Sequence, residues 1–302
     1  MMFNRPDLAG QIFEAIRKQQ PRRLYLAVDG PRVGREGEAE AVQACRDLAG
    51  QVDWECEVFT QFQESNLGCG RGVRSAIDWL FNHEEEGIIL EDDTLPGPDF
   101  FKFTGELLEK YRDDERVMSI AGYSDLDGAE MDGHSYDFTI YNLIWGWATW
   151  RRAWELHKYS CEEMSDVLQS DWFHQFVGSR DEVASYWRQH ISGALDGSTD
   201  TWDYQWRMSL WMNHGLSILP SRNLVQNIGF DERATHTTVW SEAGMQRTAE
   251  ALEFPLKHPV GVRRDYDLDR QLEIERFRIK PKRQISFSTR VLNKLKRLAK
   301  LK

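Results

Sequence analysis

No stretch of this sequence approaches the run of about 18 apolar residues that a membrane-spanning helix needs. Cysteine is scarce. Cys45, Cys56, Cys69 and Cys161 are scattered, with no Cys-x-x-Cys pair. They form neither a zinc pattern nor a disulfide framework, and they point to a reducing compartment, the cytoplasm. The opening residues, Met-Met-Phe-Asn-Arg-Pro, are no signal peptide. Positive charge is short as well: the net charge is −11, which argues against nucleic acid as a partner. There is no internal repeat and no low-complexity segment. The glycine-rich stretch Gly68-Cys69-Gly70-Arg71-Gly72 lacks the Lys-Ser/Thr ending of a P-loop.

What remains is a soluble-type composition, 41% hydrophobic over 302 residues, enough for one large or two small domains. Apolar spacing at Leu8, Ile12, Phe13 and Ile16 predicts a helix over 7–19. Arg22–Asp29 reads as a buried strand stopped by Gly30-Pro31, 36–49 as a helix, 53–60 as β-rich, and 70–82 as a helix. A strand over 87–91, a helix capped by Asp99 and running to about Arg112, and a strand over 117–121 complete an alternation. Such alternation predicts an α/β fold with an open, mostly parallel sheet flanked by helices. A domain of this kind should open with a buried strand, yet only Met1–Asn4 precede the first helix. Either that strand is a stub or residues upstream complete it, and the second alternative is favoured.

After Gly122 the texture changes. Nine of the twelve tryptophans fall between Trp145 and Trp211, in a half that reads as irregular strands with helices near 151–157, 180–194 and 202–214. The expected division is 1–121, 122–264, and a tail at 265–302. Between Arg276 and Lys302 there are eleven basic and no acidic residues, which leaves −22 on the rest of the chain. Within the tail, Phe287, Val291, Leu295, Leu298 and Ala299 share one helical face, with Arg290, Arg297 and Lys300 opposite. A basic amphipathic helix over 285–302 can lie on an anionic membrane surface, here the inner face; a solvated tail or packing on the acidic body is the alternative.

The most informative segment is Gly87-Ile-Ile-Leu-Glu-Asp-Asp93, an apolar strand ending in three acids, with Pro96-Gly97-Pro98 breaking the chain beyond it. Ligands of open α/β sheets sit at the carboxyl ends of strands. Clustered carboxylates repel one another unless a cation neutralises them. Hard oxygen donors suit Mg²⁺ or Mn²⁺, ions that bridge protein carboxylates to pyrophosphate. On an extended backbone Glu91 and Asp93 would face one way and Asp92 the other. An acidic surface turn is the plain alternative.

Four segments in order, Asn4-Arg5-Pro6, Val28-Asp29-Gly30, Asn66-Leu67-Gly68, and Glu91-Asp92-Asp93 with Pro98-Asp99-Phe100-Phe101, resemble nucleotide-diphospho-sugar transferases of the GT-A fold. The resemblance spans about residues 3–240 and includes bacterial transferase-like proteins and the N-acetylglucosaminyltransferase type. It implies an inverting glycosyl transfer from a nucleotide sugar, with a UDP-sugar as the expected donor, a glycan or lipid-linked acceptor, and Mn²⁺ or Mg²⁺ as cofactor. It implies Asp93 as the metal ligand, with the late loop residue His236 on the metal or diphosphate. Arg5, Asp29, Asn66, Glu91 and Asp92 would meet the nucleotide sugar, and Arg71, with Arg74, the pyrophosphate. By the same resemblance Asp203, at the start of a helix and flanked by aromatic rings, is the base that deprotonates the acceptor hydroxyl. Trp145, Trp147 and Trp202 are candidates for stacking on the acceptor sugar, or for the core. Competing readings are a nucleotidyltransferase that makes nucleotide sugars, whose glycine-rich basic signature is missing, and a non-catalytic carbohydrate-binding protein.

Overall fold

The computed structural model describes residues 1–126, 131–159, 162–230 and 247–280. The expected His236 site and the 285–302 helix lie outside these residues. The fold is α/β with open sheets. Helix α1 (Pro6–Arg17) begins at a proline, whose missing N–H costs nothing in a first turn, and it buries Leu8, Ala9, Ile12 and Phe13. Strand β1 (Arg23–Val28) pairs in parallel with β2 (Glu57–Phe62), and α2 (Glu38–Asp47) covers them through Val42 and Cys45. Helix α3 (Gly68–Phe81) then leads to β3 (Glu86–Ile89).

The central sheet has five strands in the order β3, β7 (Trp147–Trp150), β5 (Val117–Ala121), β8 (Leu216–Pro220), β6 (Tyr136–Thr139). The expected mostly parallel sheet is not found here. Of its four pairings, only β5 with β8 is parallel. Two of the three antiparallel pairings come from β7, which enters from the tryptophan-rich half and runs between β3 and β5, and the third from β6 against β8. Strands from both sides of residue 121 therefore share one sheet. Trp150 donates from its indole to the Leu108 carbonyl of α4 (Pro98–Lys110), tying that helix to the sheet. Asp99 does not cap α4. Gly97 occupies that position, and the Asp99 carboxylate accepts the Leu252 amide instead.

The second half adds α5 (Arg151–Trp154), α6 (Glu162–Gln169), α7 (Asp171–Phe176), α8 (Asp181–Leu195) and α9 (Asp203–Met212). Helix α10 (Tyr266–Glu275), capped by the Asp265 side chain, docks against β6. A small antiparallel pair, β4 (Thr94–Pro96) with β9 (Val225–Asn227), brings the loop after β9 to the end of β3. No described helix is long and apolar enough to cross a membrane.

Candidate active site

Strand β3 ends at Ile89, so the three acids are not on extended backbone. They lie in a tight turn. The Thr94 hydroxyl accepts the Glu91 amide at 2.9 Å, and the Thr94 amide donates to the Glu91 carbonyl at 3.3 Å. The alternating orientation expected of a strand is lost, and Asp92 and Asp93 both meet Arg5. The Arg5 guanidinium binds the Asp92 carboxylate and reaches Asp93 Oδ2 at 2.9 Å. Arg5 is delivered by the start of α1, whose Leu8 and Ala9 amides donate to its carbonyl. Burial works against the Arg5 charge, but Asp92 and Asp93 outweigh it and hold its pKa above the ordinary value. Asp92, only 5% exposed, also accepts the Phe3 amide.

Burial, with Asp93 and Asp92 adding to it, pushes the Glu91 carboxyl up to about 8. Burial likewise raises Asp93, against the pull of Arg5. The loop after β9 closes over this turn. The Ile228 amide donates to the Asp93 carbonyl at 2.8 Å. Gly229 lies so close that an added Cβ would fall 2.3 Å from Asp93 Oδ2 and 2.8 Å from Arg5 Nη1, so no larger residue fits without moving the site.

Two further segments converge here. Asp29, at the end of β1, accepts the amides of Gly30 and Leu67 and the Asn66 side-chain amide at 2.9 Å. Asp29 and Asn66 thus clamp the turn into α3 to the end of β1. Burial raises the Asp29 pKa in spite of those amides. Helix starts attract phosphate, but the first amides of α3 are already taken. Cys69 and Gly70 each donate to the Asp200 carboxylate at 2.9 Å. Asp200, three residues before the start of α9, serves α3 instead. Nothing in the sequence signals that pairing. Replacing Asp200 by alanine should cost about 1.5–3 kcal/mol, the scale of hydrogen bonds to a charged group, measured by urea denaturation. An unchanged midpoint would show that water replaces the carboxylate freely. Arg71 is exposed in the first turn of α3, and Arg74 lies over the Tyr159 ring at 5.4 Å.

Asp203 opens α9 and accepts the Thr201 hydroxyl on Oδ1. The Cys69 thiol joins this carboxylate to the others. Burial first, then Glu91, Asp203, Asp200 and Asp93, push its pKa well up. Acids from two distant parts of the chain, 91–93 and 200–203, therefore act on one half-buried thiol, and the cation bonded to the Asp92–Asp93 pair is Arg5.

The three tryptophans separate. Trp147 and Trp202 are 0% and 1% exposed and stack on each other at 5.5 Å, packed with Trp154 and Trp206. They are core, which corrects their expected acceptor contact: a fully covered ring has no face left for a sugar. Trp145 is partly exposed, edge-on to Tyr123 at 4.6 Å and to Phe230 at 5.8 Å, with the Arg276 guanidinium 4.4 Å from its centre.

Among the described residues no three His, Cys, Asp or Glu side chains are gathered closely enough to hold a metal by themselves. No protein-family model matches the chain, and no curated protein is significantly similar to it.

Proposed function

We propose that the chain is a metal-dependent inverting glycosyltransferase with a GT-A-like fold. It would move a sugar from a nucleotide diphosphate, a UDP-sugar, to a glycan or lipid-linked acceptor. The observation that carries this reading is that the Asp29–Asn66 clamp and the Asp200–Asp203 segment meet at the start of α3, where Cys69 also feels the acids of the Glu91–Asp93 turn at the end of β3.

The donor set suits an ion shared with substrate rather than one caged by protein. Mg²⁺ and Mn²⁺ commonly take one or two carboxylates and complete their shell with phosphate oxygens and water. Asp93 can offer Oδ1, because Arg5 is bonded to Oδ2. When bound, the ion would neutralise the charge of the leaving diphosphate. In this reading Arg5 holds the Asp92–Asp93 turn in shape, and Arg71 faces the diphosphate from the solvent side. Asp203 takes the acceptor hydroxyl's proton, with Thr201 fixing its rotamer, and Trp145 offers an aromatic face to the acceptor.

Calorimetric titration with UDP-sugars, with and without Mn²⁺, tests the reading. Metal-dependent binding is expected, and Asp93→Asn should abolish it with the fold intact. Metal-dependent affinity equal to that of the parent chain would remove Asp93 as the ligand.

A further inference from the structure

Between β1 and β3 runs a groove of about 510 Å³. Each strand is paired on its other side only, β1 with β2 and β3 with β7. Both turn a free edge to the groove. Strand geometry identifies the groups on each bank, because neighbouring residues of a strand bond to opposite sides. The carbonyls of Arg22 and Val28 bond toward β2, so Arg23, Tyr25 and Ala27 face the groove. The Glu85 carbonyl bonds toward β7, so Glu86, Ile88 and Leu90 face it from the other bank.

One end of the groove is already filled in strand register. Met2 bridges Val28 in parallel, donates to the Ala27 carbonyl at 2.9 Å, and accepts the Asp29 amide at 3.1 Å. Its neighbours turn the other way. The Met1 nitrogen donates to the Leu90 carbonyl at 2.8 Å, and the Phe3 amide to Asp92. Met2 is thus bonded to β1 as a strand residue is, while on the β3 side Met1 meets the Leu90 backbone and Phe3 the Asp92 carboxylate. The gap there is one strand wide. Above and below, the lining is apolar: Ile12, Phe13 and Ile16 from α1, and Ile77 and Leu80 from α3.

We propose that the groove is the seat of a further β-strand, formed by residues joined through a peptide bond to Met1 and running parallel to β1. It would merge the two sheets into one, in the order β2, β1, new strand, β3, β7, β5, β8, β6. The register follows from the Met2–Val28 bridge. Met1 lies opposite Ala27, and about four preceding residues reach the level of Arg23. Covered by helices on both faces, they should be a continuous apolar run of Val and Ile type.

The test compares the chain extended before Met1 by Val-Ile-Val-Val with the chain extended by Gly-Ser-Gly-Ser. The apolar extension is expected to raise Tm by about 5 °C or more over the other, the scale of a few buried side chains in a domain this size. It should also slow amide exchange at Tyr25 and Ile88. A proline placed opposite Tyr25 should cancel the gain, since it cannot donate to the ladder. Equal Tm and equal exchange for the two extensions would overturn the proposal. Equal protection by a free Val-Ile-Val-Val-Met peptide added to the chain would also overturn it, in favour of a strand supplied by another molecule.

Discussion

Asp203→Asn is expected to keep Mn²⁺-dependent donor binding and to lower turnover by about 10²–10⁴-fold, the range for loss of a general base. The change is nearly isosteric. Oδ1 remains to accept the Thr201 hydroxyl, so the first turn of α9 should hold its shape. What disappears is the ability to accept a proton. The proposed role as base needs a carboxylate held in place, and the groups around Asp203 are fixed. Trp202 before it is buried in the core, and Arg207 one turn later is fully enclosed, bonded to Asn142 and lying over the Trp187 ring. The carboxylate is therefore carried on a helix end with little freedom to drift. Full turnover in the variant would eliminate Asp203 as base. Loss of donor binding together with turnover would instead place Asp203 at the donor.

The elements that were legible in the sequence are those whose signal is local. The stripe of Leu8, Ile12 and Phe13 gives α1, and the apolar run of Val117–Ala121 gives β5, each close to its expected bounds. The acidic segment after β3 was visible for the same reason, but its geometry was not. The Thr94 hydroxyl closes a turn there, and Arg5 gathers two carboxylates that an extended chain would have separated. The tryptophans show a different limit. Aromatic density reads alike in a core and in a sugar site, and only burial separates Trp147 and Trp202 from Trp145. Helix α10 gave no apolar stripe to read, because two residues of its buried face are acids, Asp269 and Glu273. Their partners, Arg264 and Arg180, and the hydroxyls of Thr139 and Tyr141 make that face possible. Such pairing depends on the fold and has no periodic signature.

That buried pairing sets the second large effect. Arg264→Leu is expected to destabilise the chain by about 3–5 kcal/mol at neutral pH, the cost of leaving a buried charge without its partner. Asp269 is 1% exposed and is held by Arg264 Nε at 2.5 Å, by the Ile140 amide at 3.1 Å, and by the Thr139 hydroxyl. Arg264 also covers the rings of Phe176 and Tyr266, so a little packing is lost as well. Burial already raises the Asp269 pKa, and Arg264 is the largest influence opposing it. Without the guanidinium the folded-state pKa rises further. A carboxyl whose folded pKa lies above its unfolded one favours the folded state in its protonated form, and that advantage is lost as pH rises through the folded value. The deficit of the variant should therefore be smallest near pH 4 and largest at neutral pH. Adding Asp269→Asn removes the charge yet leaves an oxygen for Ile140 and Thr139, so the double variant should recover most of the stability. The consequence reaches the cleft. Arg276 follows α10 directly and lies over Trp145, so loosening this helix should free the ring proposed to meet the acceptor. Urea denaturation across pH, with Trp145 accessibility followed by fluorescence quenching, measures both effects. A deficit that does not change with pH would trace the loss to packing on Phe176 and Tyr266 rather than to the stranded carboxylate.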